Sequence, residues 1–218
     1  DDDMEDTFRV NGGYGTLVNY LEKQSLAAGC ELLLSFRVNT VSWEKNNVTI
    51  SSTDGRKLTG NKVIITVPAV ILKSGTIRFE PAIDNYMQAA QQIGYGTVIK
   101  TFFQFKEAFW NEIANDIGFI LGEEKIPTWW TQLPDQRPLL VGWVGGPQAT
   151  RLQEATNNEI AAIALQSLAN IFKKDIGALQ QLLVGQEVQN WAKHPFACGA
   201  YSYSTIQTAG ALKVFYEP

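Results

Sequence analysis

The stretch from Ile93 to Trp110 constrains this chain more than any other. It opens on Gly94-Tyr95-Gly96 and continues as Thr97-Val98-Ile99-Lys100-Thr101-Phe102-Phe103-Gln104-Phe105. β-Branched and aromatic residues suit a pleated, half-buried surface, so the run is expected to be a strand leaving a glycine-hinged turn. Lys100 is the one cation in the apolar centre of the run. A lysine there either snorkels to water along its apolar stem or is held inside for a chemical purpose. On pattern alone the first option is favoured, because strand lysines usually mark an edge or a surface.

Bulk numbers narrow the classes. With 218 residues, 45% of them hydrophobic, the chain can build one large or two small units with a real core. A net charge of −4 leaves no electrostatic footprint for nucleic acid or an anionic membrane. No apolar run reaches the roughly 18 residues that span a bilayer. The acidic opening Asp1-Asp2-Asp3-Met4-Glu5-Asp6 is the opposite of a signal peptide. Cys30 and Cys198 lie far apart and suit a reducing, cytoplasmic setting without a disulfide framework. A single histidine, His194, excludes a multi-histidine metal site and is expected to be a loop residue.

In chain order, Phe8-Arg9-Val10 is strand-like. Asn11-Gly12-Gly13-Tyr14-Gly15 then leads into an amphipathic helix over roughly Thr16–Ala28, stopped at Gly29. This imitates a dinucleotide-binding opening poorly, since Val18 stands where the third glycine belongs. Leu32-Leu33-Leu34 reads as a buried apolar run. A hairpin joins Val38–Trp43 to Val48–Ser52, and Lys62–Val67 reads as a strand stopped by Pro68. A short helical turn is expected near Val70–Lys73. A helix is expected over Asp84–Gln92 with Asp84 as N-cap. Further strands fall at Phe119–Leu121, Thr128–Gln132, Leu139–Gly145 and Val184–Trp191, and helices at Asn157–Phe172 and Asp175–Leu182. The pattern is α+β: a mixed or antiparallel sheet with packed helices, plus a small β-rich piece. Three segments are expected, at 1–74, 75–186 and 187–218.

Two stretches carry a resemblance. Gly94-Tyr95-Gly96-Thr97-Val98-Ile99-Lys100, followed by Phe105-Lys106-Glu107-Ala108-Phe109-Trp110, is similar to the active-site lysine segment of the flavin-containing amine oxidases, the monoamine and polyamine oxidase family. About 100 residues later, Trp191-Ala192-Lys193-His194-Pro195-Phe196-Ala197-Cys198-Gly199-Ala200-Tyr201 resembles that family's W-x-x-x-P-x-x-x-G-x-Y segment over the flavin. Ile77–Pro81 is similar to the family's F-x-P entry into the substrate domain, and the order of the intervening strands also resembles it.

The resemblance implies FAD-dependent oxidation of a small-molecule amine, with O2 as the final acceptor. It implies that Lys100 orders a water at the flavin and that Tyr201 forms one wall of an aromatic cage for the amine. It implies flavin contacts at Val38, through backbone atoms, at Trp191 and at Ala200. Ala200 falls where monoamine oxidases carry the cysteine bonded to the cofactor, so the FAD is expected to be non-covalent. The chain resembles the interior of a longer protein without its dinucleotide motif, so FAD is expected to be absent or weakly held and the isolated chain inactive. Two other readings stay open. One is another member of the flavin superfamily, such as an L-amino-acid oxidase with Arg137 on the substrate carboxylate, or a desaturase. The other is a non-catalytic α+β binding or interaction domain. Neither the amine nor the oligomeric state is legible.

Overall fold

The computed structural model describes residues 10–216. The expected strand at Phe8-Arg9-Val10 falls outside them except for Val10. The fold is α+β and divides into two compact units, Asp1–Asn61 and Lys62–Pro218.

In the first unit, helix α1 (Tyr14–Ala27) leaves Gly13, whose φ of 80° suits a residue without a side chain. Strands β1 (Val38–Glu44), β2 (Asn47–Ser52) and β3 (Lys57–Gly60) follow as an antiparallel meander in the order β3-β2-β1. The tip between β1 and β2 turns at Asn46, with φ 61°. At the next turn the Asp54 carboxylate accepts from the Arg56 guanidinium, from the Arg56 amide and from the Ser52 hydroxyl. The Arg56 contact above all holds that carboxyl well below the usual range.

The second unit begins with α2 (Ala69–Lys73), β4 (Arg78–Glu80) and α3 (Asp84–Gln91). Next come β5 (Gly94–Gly96), β6 (Val98–Phe105), β7 (Phe119–Leu121), β8 (Thr128–Trp130) and β9 (Leu139–Gly145). Then follow α4 (Gly146–Leu152), α5 (Asn157–Phe172), α6 (Ile176–Leu182), β10 (Leu183–Asn190), β11 (Tyr201–Tyr203) and α7 (Thr208–Val214). Five strands make an antiparallel sheet in the order β10-β6-β9-β8-β7.

Alternation along β6 decides the two faces of this sheet. Ile99, Thr101, Phe103 and Phe105 are buried, whereas Lys100 and Phe102 are half-buried and Gln104 is exposed. The buried set packs with Leu140 and Val144 of β9, Trp129 of β8 and Ile160, Ala164 and Leu168 of α5. The stripe expected on α5 is therefore the stripe that meets the sheet. Its start is fixed by Thr156 and Glu159, which cap one another's backbone N–H groups, and its end by Lys173 at φ 51°. The Trp129 indole N–H donates to the Ile126 carbonyl at 2.9 Å, and its ring lies over Gly142, where a Cβ would sit 2.7 Å from the ring. Only glycine leaves the ring its place.

Several expectations are corrected. Leu32-Leu33-Leu34 is not buried; the three are 50%, 39% and 74% exposed and pair with no strand. Lys62–Val67 is extended without being a strand, and Ile64 is 89% exposed. β-Branched runs become strands only where a neighbour completes the ladder, and no such pairing reaches either run among the described residues. Helix α1 forms where expected, but none of its residues is buried. Asp84 lies in the first turn of α3, and Ile83 takes the cap position instead. Finally, the glycine hinge before Lys100 is itself a strand, β5, paired antiparallel with β11.

Candidate active site

Lys100 stands on an interior strand, not an edge. Its neighbours across the ladders are Trp143 on β9 and Gln189 on β10. Directly paired residues share a face, so Lys100 and Trp143 project to the side of the sheet away from α5. The Lys100 Nζ also lies 5.7 Å from the centre of a Trp130 ring, within the range at which an aromatic face attracts a cation. Trp130 in turn meets Phe119 at 6.2 Å between ring centres. The ammonium thus sits half-buried on an aromatic face.

Four residues before Lys100, the ribbon of β5 and β11 builds a second aromatic wall. Its register pairs Tyr201 with Gly96, Ser202 with Tyr95 and Tyr203 with Gly94. Period-two alternation then places Tyr201 and Tyr203 on one face and Tyr95 on the other. The Tyr201 ring rests on Gly96, the Tyr203 ring on Gly94 and the Tyr95 ring on Gly199, each filling the space a Cβ would occupy. Burial pushes the Tyr95 phenol above its ordinary pKa, with a smaller contribution from nearby Cys198. A cavity of about 520 Å³ opens here, and Ile93, Tyr95, Ala200, Tyr201, Tyr203 and Thr208 are part of its lining.

The chain reaches this ribbon through a tightly held loop. Buried Asn190 donates to the Gln153 carbonyl at 2.8 Å and accepts from the Ala192 amide at 3.2 Å. The Trp191 carbonyl accepts from Gly199 N–H at 2.9 Å, and Gly96 O accepts from Ala200 N–H at the same distance. Cys198 and Gly199, at φ 49° and 147°, make the turn that delivers Ala200 and Tyr201. The Trp191 ring lies 5.5 Å from that of His194.

Of the residues singled out in the sequence, Ala200 and Tyr201 line the cavity. Trp191, through its carbonyl, closes the loop that leads to Ala200, and Lys100 lies on the next strand, β6; neither is among the described lining residues. Val38 belongs to the first unit, where it opens β1 opposite Ser52. Sequence reasoning missed Tyr203 and Tyr95 as parts of this arrangement. A signal existed for the ribbon, since Gly-x-Gly at 94–96 has its complement in Tyr-x-Tyr at 201–203. Among the described residues, no group of three or more His, Cys, Asp or Glu could hold a metal, and both cysteines are free. No helix among the described residues is long and apolar enough to cross a membrane.

The fold is α+β, with a lysine on an interior strand and a tyrosine-walled cavity, and comparison with known proteins places the chain in a family. Residues 2–213 match the family model described as flavin containing amine oxidoreductase, and the chain belongs to that family. It is 28% identical over 216 residues to lysine-specific histone demethylase 1 homolog 3 of Arabidopsis thaliana, covering 92% of this chain and 13% of that one. It is 27% identical to polyamine oxidase 4 of Oryza sativa subsp. japonica, covering 90% of this chain and 40% of the relative. The fold is similar to that of putrescine oxidase bound to putrescine, with TM-score 0.73, 23% identity, and 92% of this chain on 43% of the other. Cyclohexylamine oxidase from Brevibacterium oxydans IH-35A gives TM-score 0.72 at 22% identity, with 92% of this chain on 44% of the other. The chain thus spans less than half the length of each of these proteins.

Proposed function

We propose that this chain supplies the amine-facing part of a flavin-dependent amine oxidase, acting on a small amine to give an aldehyde, ammonia and hydrogen peroxide from O2 and water. The observation that carries this reading is the nearness in the chain of two aromatic surfaces. One holds the ammonium of Lys100 near the Trp130 indole, and the other presents the phenol of Tyr201 to an open cavity.

The residues fit a non-covalent flavin. Ala200 lines the cavity with a methyl group and offers no thiol for a bond to the ring. Trp191 and the Val38 backbone are the further contacts in this reading. When bound, FAD supplies the two-electron acceptor. The chain's own residues do the rest. Tyr201 offers a π-face to the amine, and the aromatic walls exclude water from it. Lys100, fixed by its flanking strands, holds a water for the step with O2. No dinucleotide turn is described in this chain, so alone it binds FAD weakly and is inactive in this proposal. Segments 1–74, 75–186 and 187–218 then serve as part of the cofactor domain, the substrate domain and the return to the cofactor, in the cytoplasm.

The amino-acid oxidase reading has less support. Arg137 is already paired with Asp135 at 2.5 Å, so a substrate carboxylate would have to compete for it. The test is a peroxide-release screen of the longer protein with monoamines, polyamines and amino acids. Peroxide from amines supports the proposal. Peroxide from amino acids alone, or from nothing while flavin is bound, overturns it.

A further inference from the structure

The tyrosine rings of the cavity stand where they do because the residues opposite them have no side chains. A Cβ at Gly96 would lie 2.7 Å from Tyr201 Cζ and 2.9 Å from its Cε2. A Cβ at Gly94 would meet the Tyr203 ring closer still. Carbon atoms pack at about 3.5–4.0 Å, so a methyl group at either position must displace the facing ring by about 1 Å. Neither glycine has a left-handed φ, so both backbones suit any residue. The absence of a side chain at 94 and 96 therefore serves the rings rather than the turn. Tyr201 and Tyr203 are 42% and 52% exposed, and their free faces border the cavity. Both rings are partly open to solvent, so a ring pushed from behind has room to move outward, into the cavity.

We propose that Gly96 and Gly94 are positioning residues for the amine site, holding the phenols of Tyr201 and Tyr203 back so that the two rings together set the bulk of the amine substituent admitted. Tyr203 is on this account a second specificity wall beside Tyr201. The proposal rests on the amine-oxidase reading for its substrate class. The ring placement itself does not.

The experiment is a double-mutant cycle with two readouts. In the flavin-loaded longer protein, Gly96→Ala raises KM for benzylamine about tenfold or more, the scale on which one extra methyl group discriminates in a pocket. It leaves kcat for butylamine within about threefold. In the 218-residue chain, Gly96→Ala lowers the melting midpoint. Both effects disappear when Tyr201→Ala is also present, because no ring remains to be displaced. Gly94→Ala behaves likewise with Tyr203→Ala. The tyrosine truncations remove exposed rings and leave the core intact. An equal effect of Gly96→Ala with and without the ring overturns the proposal, and so does coupled melting with an unchanged KM for benzylamine. A longer protein that binds flavin yet oxidises no amine removes the oxidase reading. The melting cycle then still decides whether the glycines act on the rings.

Discussion

Lys100→Met separates a chemical role for this lysine from a structural one. Methionine has a similar length and an apolar stem, so packing changes little. What is lost is the attraction of the ammonium to the Trp130 face at 5.7 Å. At a half-buried site that contact is worth about 0.5–1 kcal/mol. For a domain of this size, 1 kcal/mol moves the melting midpoint by about 2–4 °C. The midpoint of the variant is therefore expected within about 4 °C of the parent. A group that holds a reacting water contributes on the order of a hundredfold in rate. Stopped-flow mixing of amine-reduced, flavin-loaded longer protein with O2 is accordingly expected to show reoxidation slowed on the order of a hundredfold. Reoxidation within about twofold of the parent would remove Lys100 from the proposed chemistry. A melting drop well beyond the expected range would show instead that the ammonium holds the sheet together.

Three further outcomes follow from the packing and the charges. Gly142→Ala forces a methyl group to within 2.5 Å of Thr101 Oγ1 and 2.7 Å of the Trp129 ring, both fully buried, and is expected to cost about 1–3 kcal/mol by chemical denaturation. Glu159 is held below its ordinary pKa, first by the Thr156 backbone N–H and then by the Thr156 hydroxyl. Its contribution is therefore present above the unfolded value of about 4.3 and is lost as pH falls through the folded value. Melting followed by circular dichroism is expected to show a weaker acid dependence in Glu159→Gln. Tyr95 has the opposite sign. Its phenol is raised by burial, so its contribution is intact below about pH 10 and lost as pH rises through the folded value. Absorbance titration of tyrosinate is expected to lose a step above the ordinary phenol range in Tyr95→Phe.

Much of the second unit was legible because its signals are local and periodic. The stripe on α5 and the β-branched, aromatic run of β6 each act within a few residues of themselves. Their elements formed within a residue or two of the expected bounds. The two runs that failed to become strands share one cause. Leu32–Leu34 and Val63–Val67 carry strand composition, yet composition does not say whether a neighbouring ladder exists.

The candidate site divides along the same line. By itself the sequence determined that Lys100 lies on an apolar strand and that Tyr201 follows the Gly199-Ala200 step, because residue type and short-range spacing suffice for both. Only the tertiary structure decided that the lysine is interior, that it pairs with Trp143 and reaches the Trp130 ring, and that Tyr201 and Tyr203 lie over Gly96 and Gly94. Those relations depend on register between strands that are distant in the chain, and a slip of one residue would turn every ring to the opposite face.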